Sequence, residues 1–168
     1  PAADWPATII ALNAEIVATG RNGERVIRAD DFFVDMLTTA LEPGEILREI
    51  RIAVPQGRTG QAYTKVPHPA SGFAVVGVAV NLSLDNTEVC QSASVGITGA
   101  AAKAYRARGV ETALNGNRID EALAQTAAAQ AADGIDLNGD LYASADYRRH
   151  LVQGYTRRAI LKAIAQAK

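Results

Sequence analysis

The chain has 168 residues, of which 48% are hydrophobic and 21% charged, and its formal net charge is -1. This length and apolar content suffice to bury one good core or two small ones, whereas the near-zero charge provides no field that would attract nucleic acid or an acidic membrane surface. No run of about 18 apolar residues is present to span a bilayer, and the single cysteine excludes an internal disulfide framework or a thiolate metal cluster, which predicts a cytoplasmic protein.

The first third of the chain alternates between short helical and short extended patterns. Asp4 can cap a helix that opens with Trp5-Pro6, because proline loses nothing in the first helical turn. The later elements are predicted from turn residues and alternation. They are strands over 13–19 and 25–28 around an Asn22-Gly23 turn, a helix from Asp30 through Met36, and a strand over 45–54.

Residues 55–60 have the composition of a linker, which predicts two domains, 1–55 and 56–168. After the linker an antiparallel meander of three strands is expected, followed by three helices. The strands cover 61–66, 73–84 and 88–98 within a sheet of about 61–99, and the helices occupy about 103–168, with ends near Gly116, Gly134 and the C-terminus. The predicted fold class is therefore α+β.

The last helix is predicted to begin after Ser144, a good N-cap residue. An i+4 repeat of apolar and aromatic residues predicts its buried stripe. The stripe comprises Tyr147, Leu151, Tyr155, Ala159 and Ala163. The arginines between them scatter over more than one face, which favours a polar helix face or a subunit contact over a nucleic-acid patch.

Lys65 is the residue best placed to bind a ligand. It ends a predicted strand beside the loop 66–72, which contains two prolines and a glycine. Its ammonium can donate charge-assisted hydrogen bonds to an anionic or electron-rich ligand. The pattern alone favours a solvated lysine at a strand end, which is where most lysines lie.

Other combinations of chemically active residues are incomplete. Asp146 lies one helical turn before His150, but no third metal ligand accompanies this pair, and none surrounds His68. The acidic stretch 133–140 lacks the glycine and glutamate spacing of a calcium loop and is interpreted as a solvated loop. Neither a nucleophile with its base nor a glycine-rich phosphate loop is present.

A series of motifs along the whole chain resembles one family. The motifs are Pro1-Ala2-Ala3-Asp4, Gly23-Glu24-Arg25, Leu41-Glu42-Pro43-Gly44-Glu45, Ala62-Tyr63-Thr64-Lys65, Ser71-Gly72-Phe73-Ala74 and Tyr147-Arg148-Arg149-His150-Leu151. In this order they resemble the FAD-binding middle subunit of molybdenum hydroxylases. That group includes carbon monoxide dehydrogenase, xanthine dehydrogenase and bacterial aldehyde oxidoreductases.

The resemblance implies a role in electron transfer. Residues 1–55 would be the C-terminal part of the FAD-binding domain, and 56–168 the C-terminal domain of the flavoprotein subunit. Electrons would pass from a molybdenum cofactor on a large subunit, through 2Fe-2S clusters on a small iron-sulfur subunit, to FAD and then to an acceptor. The loops that hold the FAD pyrophosphate would lie upstream of Pro1, so this chain would be part of a longer subunit, with an incomplete FAD site and no activity by itself.

The resemblance also assigns four cofactor-binding residues. Asp4 matches an acidic residue that contacts the flavin nucleotide, and Leu47 matches a leucine that borders the flavin. Lys65 matches a lysine near the isoalloxazine, and Phe73 a loop residue that can cover the ring, with the loop 66–72 gating it. No catalytic residue and no metal ligand is expected. The alternatives are a cofactor-free subunit-interaction module and a generic small-molecule binding domain.

Overall fold

The structure, a computed structural model, describes residues 2–167, which form five helices and nine strands. The helices are α1 (Asp4–Ala11), α2 (Ala29–Phe32), α3 (Arg108–Leu114), α4 (Glu121–Ala129) and α5 (Ala145–Gln166). The strands are β1 (Glu15–Gly20), β2 (Gly23–Arg28), β3 (Phe33–Asp35), β4 (Thr38–Thr39), β5 (Ile46–Arg51), β6 (Arg58–Pro67), β7 (Ala74–Leu84), β8 (Cys90–Thr98) and β9 (Tyr105–Arg106). Pro1 and Lys168, at the ends of the two predicted domains, lie outside the described residues.

The N-terminal part is built on an antiparallel sheet with the strand order β2-β1-β5. Gly20 pairs with Gly23, which closes the hairpin at the predicted Asn22-Gly23 turn. Gly23 has a φ of 104°, a conformation that glycine adopts without a steric penalty. The buried face of this sheet packs against α1 and α2.

The segment after Asp30 differs from the prediction. Helix α2 ends at Phe32, and β3 and β4 then form a small hairpin where a longer helix was expected. The Asp35 carboxylate accepts a hydrogen bond of 2.7 Å from the backbone N–H of Met36. This local bond stabilises a turn in place of a further helical turn, as is typical of aspartate.

The predicted antiparallel meander forms the C-terminal sheet, in the order β6-β7-β8-β9. The short strand β9 extends the three predicted strands because Tyr105 and Arg106 pair with Ile97 and Gly96. The α+β class, with the sheet covered by the three predicted helices α3 to α5, is confirmed. Among residues 2–167, no helix combines the length and apolar character that a membrane crossing requires.

The two faces of the C-terminal sheet differ in side-chain size. Large aliphatic residues on one face form the main core under α3, α4 and α5. They include Val76, Val78, Val80, Leu82, Val95 and Ile97. The alternate positions carry small or polar residues, and α1 lies on that face. They include Gly77, Ala79, Asn81, Ser94, Gly96 and Thr98.

Glycine allows helices to approach the sheet closely on both faces. A Cβ at Gly96 would lie 2.1 Å from the carbonyl oxygen of Ala7 in α1. On the opposite face, a Cβ at Gly60 would lie 1.9 Å from the carbonyl oxygen of Ala163 in α5. Both distances are far below van der Waals contact, so the positions of α1 and α5 require glycine at these two sites.

Helix α5 begins as predicted, because Ser144 accepts a hydrogen bond of 3.2 Å from the backbone N–H of Tyr147. Its predicted buried stripe is wrong by one residue over the first three of its five positions. Tyr147 is 50% exposed, and Leu151 and Tyr155 are only partly buried. The buried residues there are Arg148, which is 6% exposed, Val152 and Thr156, whereas Ala159 and Ala163 are buried as predicted. The Arg148 guanidinium donates to the carbonyl oxygens of Val75, at 2.6 Å, and Gly99, at 3.0 Å, and to Asp140 Oδ2 at 2.6 Å. These acceptors compensate for the burial of the charge.

Replacement of Gly96 by alanine is expected to destabilise the protein, because α1 must move away from β8 to admit the methyl group. The expected loss is about 1–3 kcal/mol in the free energy of unfolding, the usual effect of overpacking, measured by urea denaturation. Gly154→Ala is the matched control, since a Cβ at this position in α5 meets no atom within 4 Å. It should stabilise the helix by about 0.5–1 kcal/mol. Equal stability of Gly96→Ala and the unmodified protein would contradict the close packing of α1.

Replacement of Arg148 by leucine removes the donors of two buried carbonyl oxygens. The expected loss is about 2–4 kcal/mol in the free energy of unfolding. Arg149→Leu on the same helix serves as the control, because Arg149 is exposed and its bond to the carbonyl oxygen of Ala132 measures 3.4 Å. Its effect should stay within about 0.5 kcal/mol. Similar losses in the two variants would show that burial of Arg148 has no special role.

Candidate functional site

Helix α1 and strand β6 bring Asp4, Tyr63 and Lys65 together. Asp4 Oδ2 accepts a hydrogen bond of 2.8 Å from Lys65 Nζ, and Asp4 Oδ1 accepts one of 2.6 Å from Tyr63 Oη. Tyr63 and Lys65 are two residues apart on one strand, so their side chains leave the same face of the sheet. One carboxylate on α1 therefore binds two donors from β6.

Asp4 does not cap α1 as predicted. The N-cap position is Ala3, and Asp4 is the first residue of the helix. The hydroxyl of Thr98 in β8 donates to the carbonyl oxygen of Ala3 at 3.0 Å, and the N–H of Ala74 donates to the carbonyl oxygen of Ala2 at 3.0 Å. The start of α1 is thus fixed to the sheet by its backbone, which leaves the Asp4 carboxylate available to β6.

Both acidic groups of this cluster have shifted pKa values. Burial raises the pKa of the Asp4 carboxyl, but the hydrogen bonds from Lys65 and Tyr63 outweigh burial and lower it below its ordinary value of 3.8. Burial, followed by the bond to Asp4, raises the pKa of the Tyr63 phenol well above its ordinary value of 10.0. At neutral pH the carboxylate is therefore ionised and the phenol is a hydrogen-bond donor.

The Lys65 ammonium also contacts the loop that follows β6. Nζ donates to the carbonyl oxygen of Gly72 at 3.0 Å as well as to Asp4, and the Lys65 side chain is 30% exposed. An ammonium has three donors. Two of them meet acceptors among the described residues, and the third is available to a ligand.

The loop from Pro67 to Phe73 is closed by its own backbone. The N–H of His68 donates to the carbonyl oxygen of Phe73 at 2.7 Å, and the N–H of Gly72 donates to that of His68 at 2.8 Å. Gly72 adopts a φ of 70°, which favours glycine. Phe73 follows Gly72, the residue that contacts Lys65, and 60% of its surface is exposed.

A second segment supports this loop. The His68 and Tyr142 rings lie 4.6 Å apart between centroids. Asp140, two residues before Tyr142, is bound to the buried Arg148 guanidinium. Backbone hydrogen bonds to Asp140, ahead of its pairing with Arg148, keep the pKa of its carboxyl below the ordinary 3.8.

Leu47, the fourth predicted residue, lies on the other sheet. It pairs with Ala18 across β5 and β1 and is 40% exposed. The start of β5 is held by Glu45, whose two carboxylate oxygens accept hydrogen bonds of 2.7 and 2.8 Å from the Arg25 guanidinium. These bonds lower the pKa of Glu45 to about 2. The described contacts thus join Asp4, Lys65 and the Phe73 loop, whereas Leu47 belongs to a separate element.

Tyr63 was not predicted as a site residue. Its ring packs near Ala7, Ala11 and Ala79, and a Cβ at Gly77 would lie 2.3 Å from its Oη. The signal available in the sequence was the i, i+2 spacing of Tyr63 and Lys65 together with the glycine in the following strand.

Residues with metal or thiol chemistry form no comparable site in the described part of the chain. No group of three or more His, Cys, Asp or Glu side chains there is placed to hold a metal ion. His150 Nδ1 lies 2.9 Å from the backbone oxygen of Asp146. Cys90 is buried, which raises the pKa of its thiol to about 11.

Two family models match the chain. Residues 61–163 match the CO dehydrogenase flavoprotein C-terminal domain. Residues 1–56 match the FAD binding domain in molybdopterin dehydrogenase. The region that matches the first model contains Lys65 and Phe73, and the region that matches the second contains Asp4 and Leu47.

Curated relatives are similar over almost the whole chain. The carbon monoxide dehydrogenase medium chain of Afipia carboxidovorans is 34% identical, with 100% of this chain and 58% of that protein covered. The nicotine 6-hydroxylase medium subunit of Paenarthrobacter nicotinovorans is 31% identical, with 98% and 57% covered. This chain therefore spans little more than half the length of the relatives it matches.

A solved structure shares the fold. The match is to the carbon monoxide dehydrogenase from Hydrogenophaga pseudoflava that lacks the Mo-pyranopterin moiety of the molybdenum cofactor, with a TM-score of 0.92 and 32% identity. It covers 98% of this chain and 57% of that one. The resemblance seen in the sequence motifs is confirmed: the chain belongs to the CO dehydrogenase flavoprotein C-terminal domain family, among the FAD-binding medium subunits of the molybdenum hydroxylases.

Proposed function

We propose that this chain forms one wall of an FAD site in the medium subunit of a molybdenum-containing oxidoreductase complex. The observation that carries the proposal is the Asp4–Lys65 ion pair of 2.8 Å, whose ammonium also bonds Gly72, the residue before the exposed Phe73. Electrons reach this site from a molybdenum cofactor on a large subunit, through 2Fe-2S clusters on a small subunit, and leave to an acceptor. The chain itself supplies no residue for the substrate chemistry.

The side chains around Lys65 fit the ring half of FAD. An isoalloxazine has an edge of hydrogen-bonding atoms and two apolar faces. Lys65 offers an available N–H for such an edge, and Phe73 offers an exposed aromatic ring for a face. Leu47 is a further exposed apolar side chain, but it lies on the other sheet. When bound, FAD supplies the redox centre that accepts and releases electrons.

We do not assign the phosphate half of FAD to this chain. The sequence contains no glycine-rich phosphate loop of the usual patterns, so we assign the pyrophosphate contacts to another part of the intact subunit. The matches to residues 1–56 and 61–163 support a division into the end of the FAD-binding domain, 1–55, and the C-terminal domain, 56–168. The 168 residues alone are then expected to hold FAD weakly or not at all.

Lys65 has an electrostatic role in this proposal. A fixed positive charge beside the ring stabilises the negative charge that reduction adds, and so raises the reduction potential. Asp4 is ionised at neutral pH and holds the ammonium in one place. Its negative charge also cancels part of the positive field of Lys65 at the ring. The loop from Pro67 to Phe73 lies at the surface, where it can cover the ring or admit an acceptor.

The alternative of a cofactor-free interaction module is not favoured, because residues 1–56 match an FAD-binding domain. The cytoplasmic location remains part of the proposal, with a single buried cysteine as its support.

Lys65→Met in the intact subunit is expected to lower the reduction potential of FAD and to weaken its binding. Loss of one charged hydrogen bond corresponds to about a tenfold rise in Kd. Because the ammonium stabilises the more negative reduced flavin more strongly, the Kd of reduced FAD should rise about tenfold more than that of oxidised FAD, which lowers the potential by about 30 mV. Fluorescence titration and spectroelectrochemistry measure the two quantities.

Lys162→Met is the control for this experiment, since it removes the same charge from an exposed position of α5. It should leave both quantities unchanged. If the unmodified intact subunit purifies without flavin, the proposed function is wrong. If it binds flavin and Lys65→Met behaves like Lys162→Met, the role of Lys65 is wrong.

A further inference from the structure

Tyr63 and Lys65 share one carboxylate, that of Asp4. The bond from Tyr63 is the shorter of the two, 2.6 Å against 2.8 Å, and each donor uses a different oxygen. Because burial favours the protonated phenol, Tyr63 keeps donating throughout the physiological pH range. The carboxylate is thereby held at both oxygens and cannot rotate freely.

The fold holds the phenol in this position through small neighbours. Gly77 pairs with Lys65 in the sheet register, and a Cβ there would lie 2.3 Å from Tyr63 Oη and 2.9 Å from Thr98 Cγ2. Ala7 and Ala79 provide the remaining shallow surface against which the ring packs. A larger residue at position 77 would push the phenol away from Asp4.

The orientation of Asp4 determines how many donors Lys65 has left. With Oδ1 occupied by the phenol, the ammonium binds Oδ2 and the carbonyl oxygen of Gly72, and one N–H remains. Without the phenol, Oδ1 becomes a second acceptor for the ammonium. The lysine would then turn toward both carboxylate oxygens, and the N–H now left for a ligand would be bound to Asp4.

We propose that Tyr63 is a positioning residue of the flavin site: it holds the Asp4 carboxylate by one oxygen so that Lys65 keeps an N–H and its positive field for the flavin ring. This inference rests on the proposed function and adds a residue that acts through Asp4 without contacting the ring.

The test compares Tyr63→Phe with the unmodified intact subunit, both loaded with FAD. Tyr63→Phe should raise the Kd for FAD about fivefold, the equivalent of one lost hydrogen bond. It should also lower the flavin reduction potential, in the same direction as Lys65→Met and by less. Gly77→Ala, which keeps the phenol and displaces it, should shift both quantities in the same direction.

Two controls separate positioning from general destabilisation. Tyr105→Phe removes another tyrosine hydroxyl that donates to a buried oxygen, the carbonyl of Ala131 at 3.2 Å. It should lower thermal stability and leave the potential unchanged. In an Asp4→Asn background, Tyr63→Phe should produce no further change in potential, because its effect passes through the Asp4 charge.

The possible outcomes distinguish a failure of the proposed function from a failure of the role assigned to Tyr63. A colourless unmodified subunit overturns the proposed function and this inference together. A flavin-loaded subunit whose potential is the same with and without the Tyr63 hydroxyl overturns this inference alone. So does a shift that persists in the Asp4→Asn background, or one that Tyr105→Phe reproduces.

Discussion

The close approach of α1 to the C-terminal sheet is the constraint on which the rest of the structure depends. It is possible because that face of the sheet carries small residues, with Gly96 directly under the backbone of Ala7. At this distance Thr98 can bind the carbonyl oxygen of Ala3, and the Asp4 carboxylate comes within 2.8 Å of Lys65. A helix held a few ångströms higher would leave Lys65 as an ordinary surface lysine.

The same contact joins the two parts of the chain that match different family models. Asp4 lies in the region 1–56 and Lys65 in the region 61–163, so the ion pair crosses between them. Arg106, whose side chain is 8% exposed, forms a second connection between the two regions. Its guanidinium binds Asp30 and the carbonyl oxygen of Ile10 in the first region, and Glu111 in its own region. A cofactor site built from two domains requires such hydrogen bonds and ion pairs between them, because the geometry of the site changes whenever the domains move relative to each other.

The sequence predicts where the helices and strands lie better than it predicts which face of each one is buried. Alternation, turn residues and the Ser144 cap identify most strands and helices, since these signals are local. The run from Ala74 to Leu84 is almost unbroken in its apolar character, and only the structure separates its large-residue face from its small-residue face. The predicted stripe omits Arg148 because arginine is rarely buried, and the acceptors of Arg148 lie 8 to 73 residues away in the sequence. The role of Tyr63 is hidden for a related reason: its partner Asp4 is 59 residues away in the sequence, beyond the reach of any local pattern.

The central claim is that Lys65, held by Asp4 and the loop before Phe73, lies at the edge of a flavin ring. It is tested most directly by an experimental structure of the intact subunit with FAD bound. In that structure Lys65 Nζ is expected within about 3.5 Å of a nitrogen or oxygen atom of the isoalloxazine, with the Asp4–Lys65 pair retained. A flavin ring bound elsewhere, with the Lys65 ammonium exposed only to solvent, would contradict it.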